Sequence, residues 1–279
     1  MSRSFKIENF VSQFILFLTA LMVLIPLFWT FLNGFKYKVD IISVIPKIFF
    51  TPTLDNFIYV ITKQAVYTGL LNSIIVTGIS VLLGGLLGLP TAYALARYPN
   101  KWTNDIQFFV LSLRFLPPVA VAIPIMIIWL KLGLYDTRLS LIITYLLLSL
   151  SSTVWLSVPA FKQVPIEVEE AALVDGYNPY EIFLKIALPV AYPSLIGALA
   201  FSFVLIWNEF MIALMLTTTD AQTLPVVASG FTQMGRNVPW GILNASVIVL
   251  SIPPLLFLGL LSTFLDKIIK KSLGGKISG

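Results

Sequence analysis

The chain has 279 residues, of which 58% are hydrophobic and 11% carry a charge. Soluble globular proteins average about 25% charged residues, so this composition excludes an ordinary water-soluble fold and indicates an integral membrane protein. The sequence contains no Cys and no His, which excludes disulfides, thiol catalysis, imidazole general bases and metal sites built on either residue. Basic segments that flank membrane helices explain the net charge of +5, and we expect no nucleic-acid partner.

Six apolar stretches are long enough to cross the bilayer, because about 20 apolar residues in a helix span the roughly 30 Å hydrocarbon layer. They are residues 10–32, 70–96, 106–130, 141–161, 192–216 and 242–265. The sequence therefore predicts an all-α integral membrane protein, with a single transmembrane domain of six helices over residues 1–279.

An even number of crossings puts both termini on the same side of the membrane. The four lysines after the last predicted helix place that side in the cytoplasm, since cytoplasmic segments carry an excess of Lys and Arg. We expect a multi-pass protein of the cell inner (cytoplasmic) membrane, with the lipid bilayer as its surroundings.

The single long inner loop, residues 162–191, carries signals for a helix followed by a bend. Pro165 and the three glutamates that follow it indicate a helix start, because Pro suits the first turn and carboxylates favour the positive end of the helix dipole. Gly176 is expected to end this helix. Ala171 and Ala172 are expected to leave one face of its backbone uncovered, so that another protein can approach closely.

A second short helix is predicted directly after the bend. Asn178 is the expected N-cap, and Glu181 three residues later resembles a capping box. This helix is predicted over Pro179–Leu188 and is expected to end before Pro189.

Two interpretations of this helical hairpin follow from the residues alone. It is either an amphipathic hairpin on the membrane surface or a contact site for a cytoplasmic protein. The acidic first turn favours a protein partner, because interfacial helices carry Lys and Arg toward anionic lipid.

The loop also contains the spaced motif E-A-A-x3-G-x9-I-x-L-P, from Glu170 to Pro189. It resembles the EAA-loop signature of the membrane subunits of binding-protein-dependent ABC importers, and each fixed position is matched. Further segments resemble the same family: Arg114–Pro118, Val154–Leu156, Trp207–Phe210 and Pro239–Gly241. Together they look like the carbohydrate-uptake branch and are similar to the maltose-transporter permease, although the C-terminal tail, Gly274–Gly279, matches more loosely.

The resemblance implies a type I ABC importer permease fold within a larger assembly. Such a subunit pairs with a second, homologous permease subunit in a heterodimer, with two ATPase subunits and with an external substrate-binding protein. The loop would be the coupling helix that docks on the ATPase, through Glu170, Ala171, Ala172, Asp175, Gly176, Ile186, Leu188 and Pro189. ATP and Mg²⁺ would bind to the partner ATPases, because this chain has no G-x-x-x-x-G-K-[ST] loop. We expect no cofactor, metal site or catalytic residue in the chain itself.

Polar and aromatic side chains within the predicted spans are candidates for the translocation path or its gate: Arg114, Trp207, Asn208 and Glu209. A charge at the bilayer centre costs about 2.5–3.5 kcal/mol, so Arg114 and Glu209 should face the interior of the helix bundle. Alternatively, these two residues pair with each other or with loop carbonyls, or Glu209 is hydrated near the outer end of its helix. Trp207 could stack on a sugar face, but a tryptophan in a membrane helix more often packs against its neighbours or anchors the helix at the interface, and packing is favoured.

The function predicted from these observations is a non-enzymatic permease subunit of an ATP-driven importer that moves a sugar or sugar-like solute into the cytoplasm. The alternative is an ion-driven secondary transporter, for which Glu209 is the one intramembrane carboxylate that qualifies as an ion carrier. An integral-membrane enzyme is disfavoured, since no two acidic residues share a span. Maltose-like oligosaccharides, monosaccharides, polyols and glycerol phosphate remain open as solutes.

Overall fold

A computed structural model describes the backbone of residues 2–231 and 238–274 and the side chains of residues 12–231 and 238–263. Every regular element within those ranges is a helix, which confirms the predicted all-α class. Two compact units are present, one drawn from Met1–Tyr67 and Ala228–Ser251 and the other from Thr68–Val227 and Ile252–Gly279. The C-terminal tail beyond Gly274, which matches the family pattern loosely, lies outside the described residues.

The first half of the chain forms, in order, α1 (Ser2–Gly34), α2 (Lys38–Ile41), α3 (Asp55–Thr62), α4 (Gln64–Arg97), α5 (Thr103–Ser112), α6 (Pro118–Lys131) and α7 (Arg138–Lys162). The second half forms α8 (Ile166–Val174), α9 (Pro179–Ile182), a π-helical turn (Phe183–Ala187), α10 (Leu188–Trp207), α11 (Met211–Leu216), α12 (Leu224–Gly230) and α13 (Trp240–Gly274). Among the described residues, five helical stretches are long and apolar enough to cross a membrane: Ser12–Gly34, Gln64–Arg97, Arg138–Lys162, Pro179–Trp207 and Trp240–Thr263.

The third and fifth predicted spans are each interrupted. In the third, α5 ends at Ser112 and α6 begins at Pro118, because Pro117 and Pro118 supply no backbone N–H and disfavour a helical residue before them. In the fifth, α10 ends at Trp207 and α11 begins at Met211. With its 14 residues, α6 is shorter than a bilayer-spanning helix, so the count of six crossings stays a prediction.

Within the second unit, α7 packs in two hydrophobic cores. One lies beside the inner loop, where the rings of Tyr93, Phe161 and Phe183 have centroids 5.1–6.1 Å apart. The other lies toward the opposite end of α7 and includes Tyr145 and Leu216. The two cores together fix α4, α7 and α10 relative to one another.

Close contact between α4 and α7 depends on two glycines spaced four residues apart. A Cβ atom at Gly84 would lie 2.2 Å from Ser149 Oγ, and one at Gly88 would lie 3.0 Å from Thr153 Cγ2. A Cβ at Gly84 therefore requires a shift at Ser149, and one at Gly88 would be in tight contact with Thr153. Such close approach is the usual structural reason for a G-x-x-x-G spacing in membrane helices.

The first unit is organised around Asn56 on α3. Its Nδ2 donates to the carbonyl oxygens of Gly34 and Lys36, at 3.0 and 2.9 Å, and so joins α3 to the end of α1. The first turn of α13 approaches the same side chain, because a Cβ at Gly241 would lie 2.6 Å from Asn56 Nδ2.

Candidate functional site

The inner loop folds as a helix, a bend and a second helix, as its sequence predicts. The first helix, α8, begins after Pro165, and the chain reverses at Gly176, whose φ of +89° is strained for any residue with a side chain. The second helix begins at Asn178 with both hydrogen bonds of a capping box: Glu181 N donates to Asn178 Oδ1 at 3.0 Å, and Asn178 N donates to Glu181 Oε2 at 3.2 Å. We call residues 163–187 the hairpin.

The prediction that the second helix ends before Pro189 is wrong. The chain remains helical from Pro179 through the π turn and into α10, up to Trp207. The π turn explains this continuity: Leu188 N–H donates to the Phe183 carbonyl five residues back, which widens the helix just before Pro189. The hairpin is therefore directly continuous with a helix of membrane-spanning length.

The two faces of α8 differ in burial. Glu170, Ala171 and Asp175 are exposed, whereas Ala172 is only 5% exposed and its carbonyl accepts a hydrogen bond from Tyr177 N. The expectation that both alanines uncover the same face is thus wrong. Only Ala171 leaves the backbone uncovered on the exposed face of α8. The exposed apolar side chains on and beside α8 are Ile166, Val168, Leu173, Val174, Tyr177 and Tyr180.

The last three residues of the spaced motif lie where the π turn joins α10. Ile186 and Leu188 are half-buried, Leu188 packs against the hydrophobic core beside the loop, and Pro189 is exposed. These positions connect the hairpin to α10, whereas the Glu170–Ala171 end of the motif faces outward.

An ion pair that could not be predicted from the sequence anchors the buried face of α8. Glu169 Oε1 lies 2.8 Å from Arg97 Nη2 and accepts a hydrogen bond from Arg97 Nε at 2.9 Å, while Glu169 Oε2 accepts from the Tyr93 hydroxyl at 2.9 Å. Arg97 Nη2 also donates to the Val164 carbonyl, at 2.6 Å. The available sequence signals were a helix-terminal arginine and the acidic first turn of α8, but no spacing rule connects residues that are this far apart.

The non-helical segments that interrupt the third and fifth predicted spans line the same cavity. Arg114, from the segment between α5 and α6, and Glu209, from the segment between α10 and α11, both contribute to its wall. The cavity has a volume of about 230 Å³, and its other lining residues are Leu113, Leu116, Pro118, Val121, Leu148, Leu205, Ile206 and Ile212. The structure thus brings two of the four candidate path residues together.

Arg114 and Glu209 do not form an ion pair in the structure. Glu209 instead accepts hydrogen bonds from the Tyr145 hydroxyl at 2.5 Å, from Ile212 N at 2.9 Å and from Ala213 N at 3.2 Å. Its carboxylate therefore satisfies the free N–H groups at the start of α11. Arg114 makes none of the three ion pairs found among the described residues, and its guanidinium lies 5.8 Å from the centroid of the Phe201 ring.

The other two candidates lie away from the cavity wall. Trp207 is 1% exposed and stacks on Phe203, with ring centroids 5.8 Å apart, as in the packing alternative. Asn208 is exposed, and its Nδ2 donates to the Val204 carbonyl of its own helix. Among the described residues, no group of three or more acidic side chains could hold a metal ion.

Comparison with known proteins gives a family match over more than half of the chain. Residues 80–274 match the family described as "Binding-protein-dependent transport system inner membrane component". The chain is 32% identical over 247 residues to the probable ABC transporter permease protein y4oR of Sinorhizobium fredii, covering 88% of each chain. It is 30% identical to the trehalose transport system permease protein SugB of Mycobacterium tuberculosis, covering 84% of this chain and 86% of SugB.

A solved structure shows the same fold. The crystal structure of a bacterial ABC transporter involved in the import of alginate, an acidic polysaccharide, contains a chain that superposes with a TM-score of 0.73 at 20% identity, covering 95% of this chain and 98% of that one. The family assignment also disfavours the ion-driven alternative. The chain therefore belongs to the family of binding-protein-dependent transport system inner membrane components, and is a multi-pass permease subunit of an ABC importer.

Proposed function

We propose that this chain is one of two different permease subunits that together form the path of a sugar or sugar-like solute into the cytoplasm. An external substrate-binding protein delivers the solute, and two separate ATPase subunits bind ATP and Mg²⁺ and drive the cycle. The family description names a binding protein, and a relative named for trehalose and a fold neighbour that imports a polysaccharide support the carbohydrate class.

The exposed face of α8 is the proposed docking site for an ATPase subunit. It combines the carboxylates of Glu170 and Asp175 with the open backbone at Ala171 and with Leu173 and Val174, which are 53% and 88% exposed. Exposed apolar side chains beside carboxylates fit a protein groove better than an anionic lipid surface. This two-faced α8, open on one side and anchored on the other, is the observation that carries the proposal. In the proposed arrangement, the hairpin and both termini lie in the cytoplasm.

The cavity between the two interrupted spans is the proposed contribution of this chain to the translocation path. Irregular backbone at membrane depth is tolerated where it is buried in protein or lines a water-filled cavity, and here two such segments line the same cavity. Arg114 supplies N–H donors for the hydroxyl oxygens of a passing solute. Glu209 holds the start of α11 in place, and Trp207 and Asn208 fix the end of α10 beside the cavity.

The proposed function is tested by Gly176→Val in the complete transporter, reconstituted in vesicles with its cognate binding protein. The variant should insert normally but lose ATP-dependent uptake and ATPase co-purification, because Val cannot adopt the bend at φ +89°. Gly133→Val is the matched control, since Gly133 also has a positive φ, of +67°, and open space around it, but lies between α6 and α7. Normal uptake by Gly176→Val, or uptake that continues without ATP while an ion gradient is present, would refute the proposal.

A further inference from the structure

One acidic residue of the hairpin is directed away from the exposed face. Of the five carboxylates between Lys162 and Ala191, Glu169 alone is buried, at 6% exposed, and its side chain contacts the last turns of α4 rather than solvent. The Arg97 and Glu169 side chains are 10% and 8% exposed, so the pair is shielded from water. Surface ion pairs contribute little, whereas a shielded pair with further hydrogen bonds constrains the geometry of the groups that carry it.

The contacts of Arg97 hold α8 at two places. Its Nη2 donates to the Val164 carbonyl, two residues before α8 begins, and both Nη2 and Nε contact Glu169, in the first half of α8. The Tyr93 hydroxyl binds the second oxygen of the same carboxylate. Because α8 is bound both just before its start and in its first half, we expect it to move together with α4 rather than rotate against it.

The helix that provides this support is itself tightly packed. Arg97 is the last residue of α4, and α4 is locked against α7 where Gly84 meets Ser149 and Gly88 meets Thr153. By contrast, the covalent link from α8 to α9 passes through the glycine bend at Gly176, which has open space around it. If no side chain joined α8 to α4, a displacement of α8 would change the backbone angles at Gly176 and would leave α4 in place.

We propose that Arg97, Glu169 and Tyr93 form a rigid joint that transmits displacement of α8 to α4, which makes them positioning residues for the transport cycle. The inference rests on the proposed function, since it assumes that the ATPase acts on the exposed face of α8. Nucleotide binding by the ATPase then moves α8, α4 and α7 as one body. Without the joint, the ATPase still engages α8, but α4 no longer follows.

The test measures the distance between a spin label on α4 and another on α8 in the complete transporter. The chain has no native Cys, so Leu82→Cys and Glu167→Cys, both at exposed positions, are its only labelling sites, and accessible Cys residues on the partner subunits are replaced first. The wild-type joint should give one narrow distance distribution that is the same without nucleotide and after trapping with ATP and vanadate. Glu169→Gln should give a distribution about two-fold broader that shifts on trapping, since a locally released element samples more positions.

Two further variants distinguish loss of the coupling between α8 and α4 from general damage to the structure. The exchanged pair Arg97→Glu with Glu169→Arg should narrow the distribution only partly, because it restores the ion pair but not the hydrogen bonds to the Val164 carbonyl and from the Tyr93 hydroxyl. Lys185→Gln is the matched control, because it removes an ion pair of the same 2.8 Å length from the same hairpin, but one whose side chains are 58% and 35% exposed. It should leave the distribution unchanged.

If Glu169→Gln does not assemble, Tyr93→Phe decides the question, because it removes one hydrogen bond and leaves the charges paired. A broader distribution in Tyr93→Phe supports the joint, and an unchanged one refutes it. An unchanged distribution in assembled Glu169→Gln also refutes the joint while leaving the proposed function intact. If the wild-type complex traps no nucleotide, the proposed function fails instead.

Discussion

The hydroxyl of Tyr145 on α7 donates to Glu209 Oε2 at 2.5 Å, and the same carboxylate accepts from two backbone N–H groups at the start of α11. A charged residue within a predicted membrane span is thus satisfied entirely by uncharged donors. The hydrogen bond between Tyr145 and Glu209 joins the interrupted fifth span to α7. It lies beside the cavity that Arg114 also lines.

Tyr145→Phe should destabilise the permease without abolishing its insertion. A hydrogen bond to a charged group contributes about 1.5–3 kcal/mol, and Phe leaves a buried carboxylate oxygen short of one donor. We expect a lower midpoint of thermal unfolding for the purified protein in detergent. Tyr67→Phe, at an exposed tyrosine, is the control and should leave the midpoint unchanged. Equal midpoints for both variants would mean that the Tyr145–Glu209 bond does not hold the segment between α10 and α11.

Gly84→Ala should separate α4 from α7, although Ala normally favours a helix. Its Cβ would lie 2.2 Å from Ser149 Oγ, and overpacking of this kind costs about 1–3 kcal/mol. Gly78→Ala on the same helix meets nothing within 4 Å and should be neutral or slightly stabilising. Thermal unfolding of the two variants measures the difference, and adding Ser149→Gly should partly rescue Gly84→Ala. A Gly84→Ala variant as stable as Gly78→Ala would contradict the close crossing.

Asp136 should make the stability of the protein depend on pH only in strongly acidic solution. Its carboxylate accepts hydrogen bonds from the backbone N–H groups of residues 218–221 and from the hydroxyls of Thr218 and Thr219. Burial opposes ionisation, but the hydrogen bonds from Asp220, Ala221 and Thr218 outweigh it and hold the pKa of Asp136 well below its usual range. The pKa in the folded state lies below the unfolded value of about 3.9, so this stabilisation is complete at neutral pH and is lost as the pH falls below about 4.

The matching variant is Asp136→Asn, because Asn also tolerates the positive φ of 57° at this position. It should lower the unfolding midpoint at neutral pH, and the difference from wild type should narrow as the pH falls below about 4. Asp220→Asn, at an exposed carboxylate in the same loop, is the control. A difference between Asp136→Asn and wild type that is constant across this pH range would show that the Asp136 charge contributes nothing.

Arg114→Met should reduce transport while leaving the complex assembled. Met keeps an unbranched stem but removes every N–H donor, and a hydrogen bond from a charged donor is worth about 1.5–3 kcal/mol, or roughly ten-fold or more in rate. The measurement is the initial rate of ATP-dependent uptake of the sugar that the cognate binding protein retains. Lys131→Met, at the exposed end of α6, is the matched charge removal and should transport normally. If the two variants transport equally well, Arg114 does not face the solute.

The local features of the hairpin could be predicted from sequence because each depends on neighbouring residues. The start after Pro165, the bend at Gly176 and the capping box at Asn178 are decided within four residues, by proline geometry, positive φ and side-chain capping. The all-α class followed in the same way from the length of the apolar stretches.

Features that depend on distant contacts could not be predicted from sequence. Glu169 and Arg97 are 72 positions apart, and nothing local distinguishes Glu169 from its exposed neighbour Glu170. The group around Asp136 joins residues more than 80 positions apart. Continuation of the helix through Pro189 was also missed, because the stop rule for proline assumes an α-helix before it and the structure has a π turn there.

The central claim is that the open face of α8 contacts an ATPase on the cytoplasmic side, and the accessibility of one introduced cysteine tests it most directly. Ala171→Cys and a control, Val44→Cys at a fully exposed residue between α2 and α3, are each the only thiol in the chain. With a membrane-impermeant maleimide, Val44→Cys should be labelled from outside intact cells, and Ala171→Cys only in inside-out vesicles stripped of the ATPase subunits. Labelling of Ala171→Cys from outside the cell, or undiminished labelling in vesicles that carry the complete working transporter, would contradict the account.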